Sequence, residues 1–137
     1  MPNYSYDIVT SPNTSEEDPQ ETELMVSYGI IHFIGLKIPA GSQGELHVQL
    51  LHGEDRLAPM NPDGDYSGDG DYIPIRDFFD IMTGPASLKA RTWNTSTTRD
   101  RSISVHIQIL PREILIPEKK LTDYLIAFLR RFKVAVS

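Results

Sequence analysis

Residues 87–110 constrain the fold of this chain more than any other stretch. In the second half of the stretch, every other residue is aliphatic: Ile103, Val105, Ile107 and Ile109. This period of two is typical of a β-strand with one buried face, because successive side chains point to opposite sides. We therefore predict two strands, Ser87–Asn94 and 102–110, joined as a hairpin by the polar loop 95–101.

An apolar sheet face needs a cover, and the middle of the chain offers further strands to provide it. Residues 24–39 are apolar but change phase near Gly29 and Gly35, which indicates two strands, or one bent strand shared by two sheets. Turn residues separate the other predicted strands, which are 45–52, 56–60, Tyr72–Ile75 and, as a strand or a single helical turn, 77–82. This spacing predicts an all-β fold over residues 24–111, an antiparallel β-sandwich with jelly-roll or immunoglobulin-like topology.

The N-terminal residues differ from this pattern in composition. Residues 1–23 are rich in Ser, Thr, Asn, Pro, Asp and Glu, with few side chains that could bury apolar surface. Such a composition predicts an extended polar N-terminal arm. The arm either docks on a neighbouring subunit or folds back on its own sheet.

The C-terminal residues 112–137 are predicted to form a linker and one amphipathic α-helix. From Glu118 onward, apolar residues recur every three or four positions, and acidic residues precede basic ones. The apolar face of this helix can cover its own sandwich, pair in an oligomer or lie on a membrane, and a membrane is the least expected of the three because the rest of the chain is acidic. The residues predicted for an oligomer interface are Leu121, Tyr124, Leu125, Phe128, Leu129 and Phe132.

Composition excludes several classes of function. A chain of 137 residues makes one domain, and its net charge of −6 argues against a nucleic acid as partner, since phosphate binding needs a basic surface. There is no cysteine, which excludes disulfides, thiolate metal ligands and cysteine nucleophiles. We see no signal peptide and no apolar run of membrane-spanning length, so we expect a protein that is cytoplasmic at synthesis, with a virion as its later location if it is a component of a particle.

The acidic loop 63–71 carries the sharpest local signal for a ligand. Oxygen-bearing side chains alternate there with other residues, including glycines that permit a tight wrap, as a Ca²⁺ site requires. The loop resembles the start of the calcium loop of EF-hand proteins, but Pro74 stands where a closing carboxylate is needed. The alternative is a solvated turn. The calcium ligands that this resemblance implies are Asp63, Asp65, Ser67, Asp69 and Asp71.

Three other features of the sequence are weaker indications of a functional site. Trp93 is either a stacking platform for a sugar or a residue buried between sheets. His47 and His106 share the outward parity of their strands and could meet across one sheet face, or could simply be exposed strand residues. Three segments match the glycosylation pattern, at Asn3, Asn13 and Asn94, and we attribute these matches to chance.

These observations favour a protein without enzymatic activity. We find no nucleophile elbow, no phosphate-binding glycine loop and no dinucleotide fingerprint in the sequence. In organisation the chain looks like viral or phage particle proteins, so we expect a structural subunit of a capsid, cement or tail that self-assembles through its arm and helix. Its partners are then copies of itself or other subunits of the particle. The alternative is a calcium-dependent β-sandwich module that binds a carbohydrate or another ligand, with Ca²⁺ as its one cofactor.

Overall fold

The computed structural model describes residues 3–61, 63–81, 83 and 85–110, and these residues fold into two antiparallel β-sheets. In chain order the strands are β1 (Asn3–Thr10), β2 (Gln20–Met25), β3 (Ile30–Lys37), β4 (Leu46–His52), β5 (Asp55–Ala58), β6 (Tyr72–Ile75), β7 (Phe79–Asp80), β8 (Ser87–Asn94) and β9 (Arg101–Leu110). Sheet A has the order β1-β9-β3-β6, with β7 also paired to β3, and sheet B has the order β2-β8-β4-β5. The predicted all-β sandwich is confirmed at this level.

The core lies between the two sheets and is built from alternate residues of each strand. The aliphatic residues of β9 that the period of two singled out are all buried, as are Leu88 and Ala90 of β8 opposite them. Burying one such aliphatic side chain contributes roughly 1.5–3 kcal/mol. The largest fully buried side chains come from both sheets and the segments that join them: Leu24, Ile31, Ile34, Leu36, Ile38, Leu46, Leu50, Ile81, Leu88, Ile103, Ile107 and Ile109.

The two strands that anchored the sequence analysis exist, but the predicted hairpin is wrong. Strand β8 pairs with β2 and β4 in sheet B, whereas β9 pairs with β1 and β3 in sheet A. The loop between them therefore crosses from one sheet to the other. The period of two fixes which face of a strand is buried, but it does not fix the strand's partner. The apolar stretch after residue 24 also divides between the sheets, as β2 and β3.

Asn94 holds the loop that crosses between the sheets. Its buried amide donates hydrogen bonds to the carbonyl oxygens of Thr10 (3.0 Å) and Arg99 (2.9 Å), and its Oδ1 accepts one from the Ser96 amide (2.9 Å). The same residue begins one of the three glycosylation patterns, yet its side chain lies inside the protein. This burial supports the interpretation of that pattern as a chance match.

Part of the predicted N-terminal arm is a strand of its own sheet. Residues Asn3–Thr10 pair with β9 over eight positions, from Asn3 opposite Gln108 to Thr10 opposite Arg101. Tyr4, Tyr6 and Ile8 alternate with polar residues, and Ile8 is buried in the core. Tyr6 donates a hydrogen bond to the carbonyl of Met25, which ties this edge of sheet A to the end of β2. The sequence left two arrangements open for these residues, and the structure has the one in which they fold back on their own sheet.

The predicted linker and C-terminal helix lie outside the described residues. The same is true of all six side chains predicted for the oligomer interface, which are Leu121, Tyr124, Leu125, Phe128, Leu129 and Phe132. Within the part of the chain that the structure describes, we find no helix that could cross a membrane.

Two neighbouring residues of β1 test whether this strand packs on its own domain. Ile8 is 3% exposed and Val9 is 57% exposed. We expect Ile8→Ala to lower the free energy of unfolding by about 2–4 kcal/mol, because it removes core methyl groups. Val9→Ala should change it by less than about 0.5 kcal/mol. Urea unfolding of both variants measures the difference, and equal, small effects would show that β1 does not pack on the core.

Candidate functional site

The outer face of sheet A carries a groove lined by two phenylalanines, one leucine and several polar or charged side chains. We call it the aromatic groove, and its volume is about 660 Å³. Because the odd-numbered residues of β9 from Ile103 to Ile109 are buried in the core, Gln108 and Leu110 point away from it. The groove lies on that outer side and is lined by His32, Phe33, Arg76, Asp77, Phe78, Gln108 and Leu110.

A β-bulge in β3 places Phe33 on the outer face. Ile31 lies opposite Ile109, but Phe33 lies opposite Gln108, so one extra residue is inserted at this point. As a result both Ile31 and Ile34 are fully buried, whereas His32 and Phe33 are only partly buried. The second of the two phase changes in this stretch therefore corresponds to a bulge within β3, at residue 32 and not at Gly35.

Arg76 and Phe78 bring charge and further apolar surface to the groove. The guanidinium carbon of Arg76 lies 6.0 Å from the centroid of the Phe33 ring, within range of a cation–π interaction. Phe78, in the connection between β6 and β7, is 72% exposed. The groove is thus lined by one partly buried phenyl ring and one that is mostly exposed to solvent.

Tyr72 extends this surface across sheet A. Its ring crosses β3 at Gly35, where a Cβ would stand 2.8 Å from the Tyr72 Cζ, too close for any residue with a side chain. Tyr72 is 51% exposed. The glycine that the sequence marked as a place for a bend serves here to let an aromatic ring lie flat on the sheet.

His32, which lines the groove, has one polar atom without a partner in the described part of the chain. Its Nε2 is buried, and among the described residues none makes a hydrogen bond to it. A buried ring nitrogen without a hydrogen bond costs free energy, and a molecule seated in the groove could supply that bond. The groove therefore combines apolar rings, the charged groups of Arg76 and Asp77 and a lining histidine with an unsatisfied polar atom, a combination suited to binding.

The acidic loop that predicted calcium makes contacts with the rest of the protein. Asp65 lies 2.8 Å from Nδ1 of His47, and the Asp69 carboxylate accepts a hydrogen bond from the Gly41 amide at 2.6 Å. Asp71 accepts one from the Asp69 amide at 2.9 Å. Asp63 and Ser67 are exposed. In the described part of the chain no three His, Cys, Asp or Glu residues come together to hold a metal, and the calcium site stays a prediction.

Trp93 lies on the outer side of sheet B, apart from the core cluster. Its ring stacks on the His47 imidazole, with centroids 5.3 Å apart and planes 6° from parallel. The side chain is 4% exposed, and a depression of about 420 Å³ beside it is bordered by the loop between β1 and β2. Sugar stacking on Trp93 stays a prediction, and it requires the cover over the ring to open.

The predicted meeting of His47 and His106 is wrong. His47 lies on β4 in sheet B and His106 on β9 in sheet A, each facing away from the core. The two imidazoles are therefore on opposite sides of the sandwich. Side-chain parity identified the outward face of each strand, but it could not assign the strands to sheets.

Sequence reasoning did not identify the aromatic groove. Its components come from β3, from the connection after β6 and from the end of β9, which are distant along the chain. Two features of the sequence could have indicated exposed aromatic rings. Phe33 is out of phase with the later apolar residues of β3. Phe78 is adjacent to Phe79, so in an extended chain the two rings point to opposite faces.

Comparison with known proteins does not assign the chain to a family. The sequence matches no protein-family model and has no significant match among curated proteins.

Substitution of two aspartates in the acidic loop distinguishes a structural role of this loop from calcium binding. Asp65→Ala should lower the free energy of unfolding by about 1 kcal/mol, since it removes the partner of His47 beneath Trp93, and should change the fluorescence of that tryptophan. Asp63→Ala, at an exposed position, should change the free energy of unfolding by less than about 0.5 kcal/mol. Calorimetric titration with Ca²⁺ is the second measurement. Calcium binding that both variants weaken would instead support the predicted metal site.

Proposed function

We propose that the protein is a non-enzymatic structural subunit that associates with copies of itself, as a component of a viral or phage particle. The observation that carries this proposal is the aromatic surface on sheet A, where Phe78 and Tyr72 are mostly exposed beside Phe33. Exposed apolar side chains grouped on one face and bordered by polar ones are a feature of interaction sites. An open, shallow shape suits a protein partner better than a small substrate.

The polar contacts of the sandwich also support a structural role. Glu45 and Arg101 form an ion pair at 2.7 Å, and Glu21 contacts both Arg91 (3.2 Å) and Lys89 (3.7 Å). These pairs hold strands and loops of the protein's own sheets together. These five charged side chains thus contribute to holding the sandwich together.

Jelly-roll or immunoglobulin-like connectivity is part of the same proposal. It is supported by the way the chain passes from one sheet to the other between β1, β2, β3 and β4. A small sandwich that presents an apolar outer face can serve as a building block, with its loops turned outward. The likeness to particle proteins is one of architecture, which does not by itself establish function. Measurement of self-association tests the proposed function.

The proposal predicts that a charge in the groove prevents association. In Phe78→Glu a carboxylate would be buried at the contact, so we expect the dissociation constant of the oligomer to rise by at least about tenfold. Met60→Glu is the matched control, because Met60 is equally exposed (75%) but does not line the groove. Sedimentation velocity over a concentration series measures both. A wild-type chain that stays monomeric at the highest concentration would contradict the proposal.

A further inference from the structure

We infer that the aromatic groove is the docking site for residues 111–137 of a second copy of this chain. This inference rests on the proposed self-association and names the two surfaces that meet. One is the groove on sheet A, and the other is the apolar face that the sequence predicts in the C-terminal segment. Four arguments support the pairing.

The first argument is position along the chain. Leu110, the last described residue, itself lines the groove. A further 27 residues follow it, and their sequence repeats apolar residues at helical spacing. An amphipathic segment of this kind is stable in water only when its apolar face is covered. The groove provides apolar surface at the point where this segment leaves the sandwich.

The second argument is charge. Residues 111–137 contain six basic and three acidic side chains, whereas residues 1–110 contain seven basic and sixteen acidic ones. The segment and the sandwich therefore carry net charges of opposite sign. Two sandwiches alone repel each other, and a basic segment placed between them reduces this repulsion.

The third argument concerns which copy supplies the segment. Residues 111–117 begin and end with proline, which disfavours helical backbone at the residue before it, and they contain no Gly, Asn, Asp or Ser, the other residues that favour a turn. The sequence therefore predicts an extended link. Seven residues in extended conformation would span roughly 23 Å, enough for the residues after them to reach beyond the groove that Leu110 borders. A neighbouring copy is then within reach, whereas a return to the same groove requires an immediate reversal.

The fourth argument is the unsatisfied atom of His32. Its buried Nε2 has no hydrogen-bond partner among the described residues. A polypeptide segment brings backbone and side-chain polar groups as well as apolar ones, so it can cover Phe33 and Phe78 and complete the hydrogen bonding of His32 together. A purely apolar ligand could not do both.

Disulfide trapping tests the inference, because the natural chain has no cysteine. A tagged chain with Phe78→Cys is mixed with untagged chains that carry Leu125→Cys, Leu129→Cys or Phe132→Cys, and mild oxidation follows. We expect mixed dimers with at least one of the three. The control is a tagged chain with Met60→Cys, which is equally exposed but away from the groove and should give about tenfold fewer mixed dimers.

A chain that carries Phe78→Cys together with one of the C-terminal substitutions distinguishes the other outcomes. A cross-link formed within this single chain, without mixed dimers, would show that the segment occupies its own groove, which overturns the inference. No cross-link from an oligomeric protein would overturn the groove as the docking site and leave self-association standing. A wild-type chain that remains monomeric would remove the proposed function itself.

Discussion

The structure depends on one constraint, that each of two sheets has an apolar face that must be hidden from water. Sheet A supplies alternate residues such as Ile107 and Leu36, and sheet B supplies Leu24, Leu50 and Leu88. The chain satisfies both faces at once by passing back and forth between the sheets instead of completing one before the other. With the inner faces committed to each other, the outer faces and the strand ends are what remain for contact with other molecules.

The most consequential departure from regular geometry is the bulge in β3. A regular strand would alternate through this stretch, and only one of Ile31 and Ile34 could face inward. One inserted residue turns both into the core and leaves His32 and Phe33 on the outer side. Phe33 is the ring near which the Arg76 guanidinium lies, so the bulge contributes one of the aromatic walls of the groove. The bulge in β3 therefore lies within the surface that we assign to self-association.

The sequence predicted where strands occur more closely than how they are arranged. Tyr72–Ile75 and Ser87–Asn94 were predicted with the bounds that they have, because alternation and turn residues are local properties. The partner of a strand depends on contacts distant in sequence, so the β8–β9 hairpin and the histidine pair were wrong. The polar composition of the N-terminal residues concealed the alternation in β1. The groove could not be foreseen, since it forms only when the connection after β6 lies beside β3.

The buried amide of Asn94 has a consequence for how the protein can be made. Oligosaccharide is attached to a chain before it folds, so the enzyme that attaches it meets Asn94-Thr95-Ser96 as an open acceptor. In the finished protein that nitrogen already donates to two carbonyls, and there is no room for a sugar. Secretory expression in a eukaryotic host would therefore glycosylate Asn94 in the nascent chain, although the side chain of Asn94 must become buried when the protein folds. Production in bacteria, or with Thr95 and Ser96 altered, avoids that conflict.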